Sequence, residues 1–168
     1  GERDNKRVLR FDNAASKSNG DPADGVLGEP NFTTNSGGLS ASLMTRAYGV
    51  YVDGGGRLWV GDRDNNRVLR FDNAATKANG AAADGVLGQV DFVSAVAART
   101  QPGMEGPRGV FGDAMGKLYV NDEANNRILV YNNAATKANG SKADNVIGQV
   151  DFTTYVIPNP PTGSSLNY

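Results

Sequence analysis

One phrase returns three times along this chain at a spacing of 60 residues, and any fold built from it must repeat at the same interval. Asp4-Asn5-Lys6-Arg7-Val8-Leu9-Arg10-Phe11 comes back as Asp64-Asn65-Asn66-Arg67-Val68-Leu69-Arg70-Phe71, and again as Ala124-Asn125-Asn126-Arg127-Ile128-Leu129-Val130-Tyr131. A second phrase follows each copy: Asp24-Gly25-Val26-Leu27-Gly28, Asp84-Gly85-Val86-Leu87-Gly88 and Asp144-Asn145-Val146-Ile147-Gly148. Between residues 64–92 and 124–152, 20 of 29 aligned positions are identical by direct count. A period of this length belongs to chains in which one supersecondary unit is stacked on copies of itself.

Within the unit the pattern is that of β-structure. Arg57-Leu58-Trp59-Val60-Gly61 and Lys117-Leu118-Tyr119-Val120-Asn121 are short runs rich in branched and aromatic residues, each preceded by a glycine turn. Gly49-Val50-Tyr51-Val52-Asp53 and Gly109-Val110-Phe111-Gly112-Asp113 supply a first strand to pair with them. Residues 67–71 and 127–131 give a third strand, and 85–88 and 145–148 a short fourth. Four short strands per 60 residues is the repeat of a β-propeller blade, a four-stranded antiparallel sheet set radially around a channel. Between third and fourth strands, Asp72-Asn73-Ala74-Ala75-Thr76-Lys77-Ala78-Asn79-Gly80 predicts a single Ala-rich helical turn, capped by Asp or Asn and ended by Asn-Gly. Parallel α/β folds need a crossover of a dozen or more residues, usually an α-helix, between paired strands, and nothing here supplies one. The fold class is all-β.

The expected organisation is a single propeller segment over 1–168: a half blade at 1–32, blades at 47–92 and 107–152, and a C-terminal linker at 153–168. Gly1 aligns with Gly61 and Asn121, so the chain opens on the third and fourth strands of a blade. Two and a half blades form an open arc with two exposed radial faces. The expectation is a piece of a larger propeller, whose ends are covered by further blades of the same polypeptide or by other copies.

Absent residue types exclude much chemistry. There is no cysteine and no histidine, which removes thiol nucleophiles, disulfides, Cys-ligated zinc and the commonest general base. Ser40, Ser42 and Ser94 therefore lack an activating imidazole. No cofactor is expected. A formal net charge of −1 gives no field that would draw nucleic acid or an anionic membrane, and no apolar run approaches the roughly 18 residues of a membrane helix. The chain opens on Gly1 without a basic-then-apolar leader, which reads as a processed product or a piece of something longer.

Gly-x-Leu-(Trp/Tyr)-Val-x-Asp followed by Asn-Asn-Arg-Val-Leu resembles the NHL repeat, and the linked Val-Leu-Gly-Gln-x-(Asp/Asn)-Phe phrase resembles a long-blade variant of bacterial NHL proteins. The resemblance runs to about Phe152. It implies a propeller, usually six-bladed, that most often serves as a binding platform, and an extracellular or cell-surface location. Peptide-amidating lyases of this family depend on metal-binding histidines; this chain has none.

Candidate residues fall into two groups. Arg67 and Arg127, with Arg7, hold one position in every copy, and Asp62, Asp122 and Glu2 stand five residues earlier. A ring of anion-binding guanidiniums is one reading; a carboxylate–guanidinium brace across the turn between second and third strands is the favoured one, because every blade needs the brace. Positions that diverge between copies are the place to look for recognition. Arg46 faces Gly106 in the alignment, Tyr48 faces Arg108, and Arg63 faces Glu123, and these form the candidate binding surface.

Other constellations read as scaffold. Asp62-x-Asp64-x-Asn66 resembles the opening of a calcium loop, but the sister copies place Lys6 and Ala124 at ligand positions and no bidentate glutamate follows, so no metal is expected. Trp59, Tyr119, Phe71, Tyr131, Phe92 and Phe152 repeat in register and are expected between blades rather than on a stacking surface. Asp53 and Asp113 could form a carboxylate pair, yet each precedes a glycine turn, where Asp is an ordinary turn former. The reading favoured overall is a non-enzymatic scaffold recognising protein or glycan through blade-edge loops. The alternatives are a propeller enzyme whose catalytic residues lie in other blades and, less favoured, a nucleic-acid binder using Arg3, Lys6, Arg7, Arg63 and Arg67, since acids interleave with those bases.

Overall fold

The computed structural model describes residues 1–157, 160 and 162–166. Three antiparallel sheets follow one another along the chain. The first has two strands, β1 (Val8–Arg10) and β2 (Gly25–Leu27). The second runs in sequence order through β3 (Ala47–Val52), β4 (Leu58–Asp62), β5 (Arg67–Phe71) and β6 (Gly85–Leu87). The third repeats it with β7 (Pro107–Gly112), β8 (Leu118–Asp122), β9 (Arg127–Tyr131) and β10 (Asn145–Ile147). These are propeller blades, and the propeller is not closed within this chain. Among the described residues there is no helix long and apolar enough to cross a membrane. The expected linker 153–168 includes residues 158, 159, 161, 167 and 168, which lie outside the described residues.

Blades cohere because their middle strands, such as β4 and β5, bury both faces. In β4, Leu58 and Val60 join a core with Val8, Leu27, Leu69 and Phe71, whereas Trp59 points the other way into a core with Val68, Leu118, Val120 and Tyr131. Alternation at period two thus puts half of every blade into the core shared with the preceding blade and half into the next. A lone blade has no core of its own.

At the inner edge the first strands meet backbone to backbone. A Cβ on Gly49 would lie 2.3 Å from the carbonyl oxygen of Arg108, so this approach requires glycine, and the Tyr51 and Phe111 rings stand 5.5 Å apart, tilted by 48°. Both first strands begin earlier than expected, at Ala47 and Pro107, and each carries a register shift before Val50 or Val110. That is a β-bulge in the same place in each blade.

Polar clasps between blades were not legible in the sequence. Arg10 Nη1 donates to the carbonyls of Ala74 (3.4 Å) and Lys77 (2.9 Å) in the next blade; Arg70 Nη1 does the same to Ala135 and Lys137 at 3.1 and 3.3 Å. In the opposite direction, Asn79 Oδ1 accepts from Val26 N–H and Gly80 N–H donates to Val26 C=O, both at 3.0 Å. Asn139 and Gly140 repeat this on Val86. Asn-Gly is therefore a blade-to-blade clasp as well as a turn.

The Ala-rich loops are 3-10 turns at Ala74–Thr76 and Ala134–Thr136, with a third at Ala14–Ser16. The expected capping is not found: Asn13, Asn73 and Asn133 stand at φ of 48–50° and make no side-chain cap bond, and each turn ends at an extended lysine. An asparagine tolerates the left-handed conformation at low cost, and that is its use here.

Exposure marks the two open ends. Phe11 is 46% exposed where its equivalents Phe71 and Tyr131 are fully buried, and Ile147 is 48% exposed where Leu27 and Leu87 are buried. Tyr119, equivalent to the buried Trp59, is only half-buried.

Tyr131 carries a hydroxyl into the position where Phe71 has none, and that oxygen is buried with no hydrogen-bond partner among the described residues. Tyr131→Phe should stabilise the fold by about 1 kcal/mol. Burial also pushes the phenol well above its ordinary value of 10.0. A raised native pKa leaves stability intact below about pH 10 and erodes it as pH climbs further. Denaturant melts across alkaline pH should show that erosion in the native protein and less of it in Tyr131→Phe; equal losses would contradict the assignment.

Candidate functional site

The scaffold of the site is a buried ion pair in each blade. Asp62 Oδ2 accepts from Arg67 Nε at 2.9 Å and from Asn65 Nδ2 at 2.8 Å, while Oδ1 takes the backbone N–H groups of Thr45 and Arg46 at 3.0 and 3.1 Å. Arg67 spends its remaining donors on the carbonyls of Phe92, Ser40 and Leu43 at 2.7, 3.0 and 2.8 Å. Both side chains are fully buried. Asp122 and Arg127 repeat the arrangement, with Glu105 N–H and Asn125 on the acid and the carbonyls of Phe152, Thr100 and Gly103 on the guanidinium. Burial pushes the Asp122 carboxyl up, and the Glu105 amide and Arg127 pull it back. Arg7 pairs with Glu2 and with the carbonyl of Phe32 in the half blade, less buried. The pair thus ties the turn after the second strand to the loop that leads into the first.

That tie fixes the bulges, and the bulges aim the site. Tyr48 lies within the bulge of β3 and Arg108 within that of β7, both immediately before the axial glycine. An extra residue in a strand is released from the ladder and can be turned outward. All five divergent residues come together around Tyr48. The Arg108 guanidinium lies 5.2 Å from the Tyr48 ring centre, and those of Arg63 and Arg3 lie 5.9 Å away. Glu123 bridges the blades, accepting from Arg63 at 3.3 Å and Arg108 at 2.9 Å. Arg46 pairs with Asp64 at 3.3 Å, which also pairs with Arg63 at 3.1 Å, and Arg3 pairs with Asp4 at 2.8 Å.

Four guanidiniums therefore meet three carboxylates around one aromatic ring. Arg3, Arg46 and Arg108 remain between 41% and 52% exposed. The Arg3 guanidinium, with Arg108 and Arg46 behind it, holds the Tyr48 phenol below its ordinary value. The sequence placed Arg3 only in the nucleic-acid alternative and Asp64 only in the calcium-like pattern, and neither they nor Asp4 in the candidate binding surface; the alignment of Arg3 with Arg63 and of Asp4 with Asp64 one repeat apart was the signal available.

Other sequence candidates are occupied elsewhere. Asp53 takes Trp59 Nε1 at 3.0 Å and the N–H groups of Gly55 and Arg57, and Asp113 takes Tyr119 and the N–H groups of Met115 and Lys117. Each carboxylate is a turn brace. The calcium-like pattern is dispersed: Asp62 gives both oxygens to N–H donors, Asp64 faces Arg46 and Arg63, and Asn66 binds Ala95 and Gly106. The basic strip weighed for nucleic acid is not assembled, because Arg67 is buried and Lys6 Nζ donates to the carbonyl of Asn35 at 3.1 Å. Wholly buried Glu29 latches the following loop through Gly37 N–H and Ser36, as Gln89 and Gln149 do through Val96 and Val156.

Comparison with known families agrees with this architecture. The model of the NHL repeat matches residues 46–71, which span β3, β4 and β5 and contain both Tyr48 and the Asp62–Arg67 pair. The chain thus carries a match to the NHL repeat in its first full blade, within a fold of β-propeller blades. No curated protein matches it.

Two expectations follow. Arg67→Ala strands a buried carboxylate and three carbonyls and should cost about 3–5 kcal/mol; Arg63→Ala, on a partly exposed pair, should cost no more than about 1 kcal/mol. Should Arg67→Ala fail to fold, Arg67→Lys keeps the charge, forfeits the fork, and should still melt well below Arg63→Ala. Separately, Tyr48 should be the first tyrosine to ionise in an ultraviolet absorbance titration. That step should vanish in Tyr48→Phe and move to higher pH in Arg3→Ala; a first step unaffected by either change would disprove the reading.

Proposed function

We propose that this chain is a non-enzymatic protein-interaction module whose recognition surface is the Tyr48 cluster. One observation carries the reading: the Asp–Arg pair that both full blades share is buried scaffold, whereas the divergent blade-entry positions Arg46, Tyr48 and Arg63, with Arg108 and Glu123, converge around a single ring. A scaffold must repeat, and a contact surface for one partner need not. Tyrosine and arginine are also the residue types that dominate binding energy at protein interfaces, because they combine area, planarity and several donors.

The partner is a protein segment bearing carboxylates. Arg46 and Arg108 keep outward-facing donors beside their internal pairs, and a bidentate carboxylate suits the guanidinium fork. The interleaved acids Asp4, Asp64 and Glu123 oppose a polyanion and reward a ligand that matches charge by charge.

Peptides selected from a random displayed library against the whole chain test this. The selected set should be enriched in Asp and Glu. Binding should fall by about tenfold or more in Tyr48→Ala and Arg108→Ala, as for a hot-spot residue, with melting temperatures unchanged. Binding should persist in Val52→Asp, at the other end of β3. Selected peptides that bind all three variants equally would overturn the proposal, as would preferential binding to a glycan panel. Binding of single-stranded nucleic acid with a steep salt dependence would assign the surface to that class instead.

A further inference from the structure

Between the two full blades, at the end of β3 away from Tyr48, lies a cavity of about 540 Å³. We infer that it binds a small organic acid, with a planar apolar body and a single carboxylate that pairs with Arg57. This site is separate from the Tyr48 surface and does not depend on it.

The space follows from the residues around it. Tyr51 and Trp59 form the wall given by the first full blade, and Leu118, Ala134 and Ala135 stand on the side of the second. Alanines are too short to reach across, and a Cβ added at Gly54 or Gly116, in the two hairpin turns, would meet nothing within 4 Å. The walls themselves are fixed. Trp59 is 2% exposed and donates Nε1–H to Asp53 at 3.0 Å, while the Tyr51 ring packs where a Cβ on Gly112 would collide with it. A preformed cleft of this size, mostly apolar with few polar groups, falls in the range of small-molecule sites, roughly 300–1,000 Å³.

One of those polar groups has donors left to spend. Arg57 lies 3.5 Å from Asp53 and 3.6 Å from Asp72, both longer than the roughly 2.7–2.9 Å of a charge-assisted bond, and its side chain is 35% exposed. The acids nearby are already engaged. Asp53 accepts from the N–H groups of Gly55 and Arg57 as well as from Trp59, Asp72 pairs with Arg70 at 3.0 Å, and Asp113 takes Met115, Lys117 and Tyr119. The ligand must therefore be an acceptor. A carboxylate meets the planar guanidinium fork with two parallel bonds. Asp53 and Asp72, flanking that fork, repel a second negative charge, so a doubly charged anion such as phosphate is disfavoured. The aromatic and aliphatic walls suit a flat apolar body.

The chain supplies its own reporter, because Trp59 is its only tryptophan. Titrating the whole chain with naphthoate should shift the Trp59 indole N–H signal in a nitrogen–proton correlation spectrum, saturating at one naphthoate per chain. Naphthamide, the same shape without the charge, should bind about tenfold or more weaker, and inorganic phosphate should not displace naphthoate. Arg57→Gln should weaken naphthoate binding to a similar degree without changing the melting temperature, since the pairs it gives up are long and partly exposed. Arg108→Ala should bind like the native chain, which separates this cavity from the Tyr48 surface. An unmoved indole signal would refute the inference, as would equal binding of naphthamide, displacement by phosphate, or indifference to Arg57→Gln. Naphthoate binding lost in Arg108→Ala and kept in Arg57→Gln would assign the acid to the Tyr48 surface and refute it as well.

Discussion

Everything else in this fold hangs from the buried pair of Asp62 and Arg67 and its copy in the next blade. Removing two charges from water is costly, and their attraction offsets that only when every remaining lone pair and proton is bonded. Here that condition is met: the acid takes four donors and the guanidinium reaches three carbonyls besides the acid. Those partners come from three separate stretches, near residues 40–46, 62–67 and 92. One pair therefore fixes the loop leading into a blade, the turn within it and the segment leaving it. Apolar burial alone would leave those polar connections free to slide, because it is not directional.

Repetition made the scaffold legible in the sequence, since a motif present in three copies exposes which positions are constrained. The strand order, the pair and the interblade position of Trp59, Phe71 and Tyr131 all followed from it. The bulges did not, because Tyr48-Gly49 and Arg108-Gly109 fit a regular strand by composition and only the pairing of Ala47 with Asp62 reveals the extra residue. Nor did the clasps. Asn79 reads locally as a turn former, and its bond to Val26 joins residues 53 positions apart. The absent cap at Asn73 has a similar cause: a left-handed backbone turns its side chain away from the first N–H groups of the 3-10 turn. The candidate binding residues were picked out in the sequence only as divergences, and their convergence on Tyr48 is a product of the axial packing of β3 against β7.

In the proposed reading, scaffold and recognition are separated along each blade rather than assigned to different parts of the chain. The Asp–Arg pair and the bulge lie within a few residues of one another, so the same loop that anchors a blade also presents Arg63 or Glu123. This arrangement lets a surface position change sign between copies, from Arg63 to Glu123, without disturbing the anchor beneath it. The change is not neutral for the surface, because Glu123 becomes the counterion that draws Arg63 and Arg108 together across the blade boundary.

A coupled substitution at the outer corner shows how tightly neighbouring blades constrain each other. Arg10 and Arg70 reach the loop of the following blade only by passing over Gly25 and Gly85, where a Cβ would fall 2.9 and 3.0 Å from the guanidinium carbon. In the third copy the arginine is Val130 and the glycine is Asn145. The two changes fit together: a side chain at the glycine position would press on an overlying guanidinium, and a valine in place of the arginine puts none there. Val130 is buried and offers no side-chain donor. The Val130–Asn145 corner therefore carries no arginine clasp of the kind that joins the half blade to the first full blade and the first full blade to the second. The two interfaces within the chain share one polar code, and the third copy of the corner departs from it, so the copies are told apart by side-chain chemistry as well as by chain order.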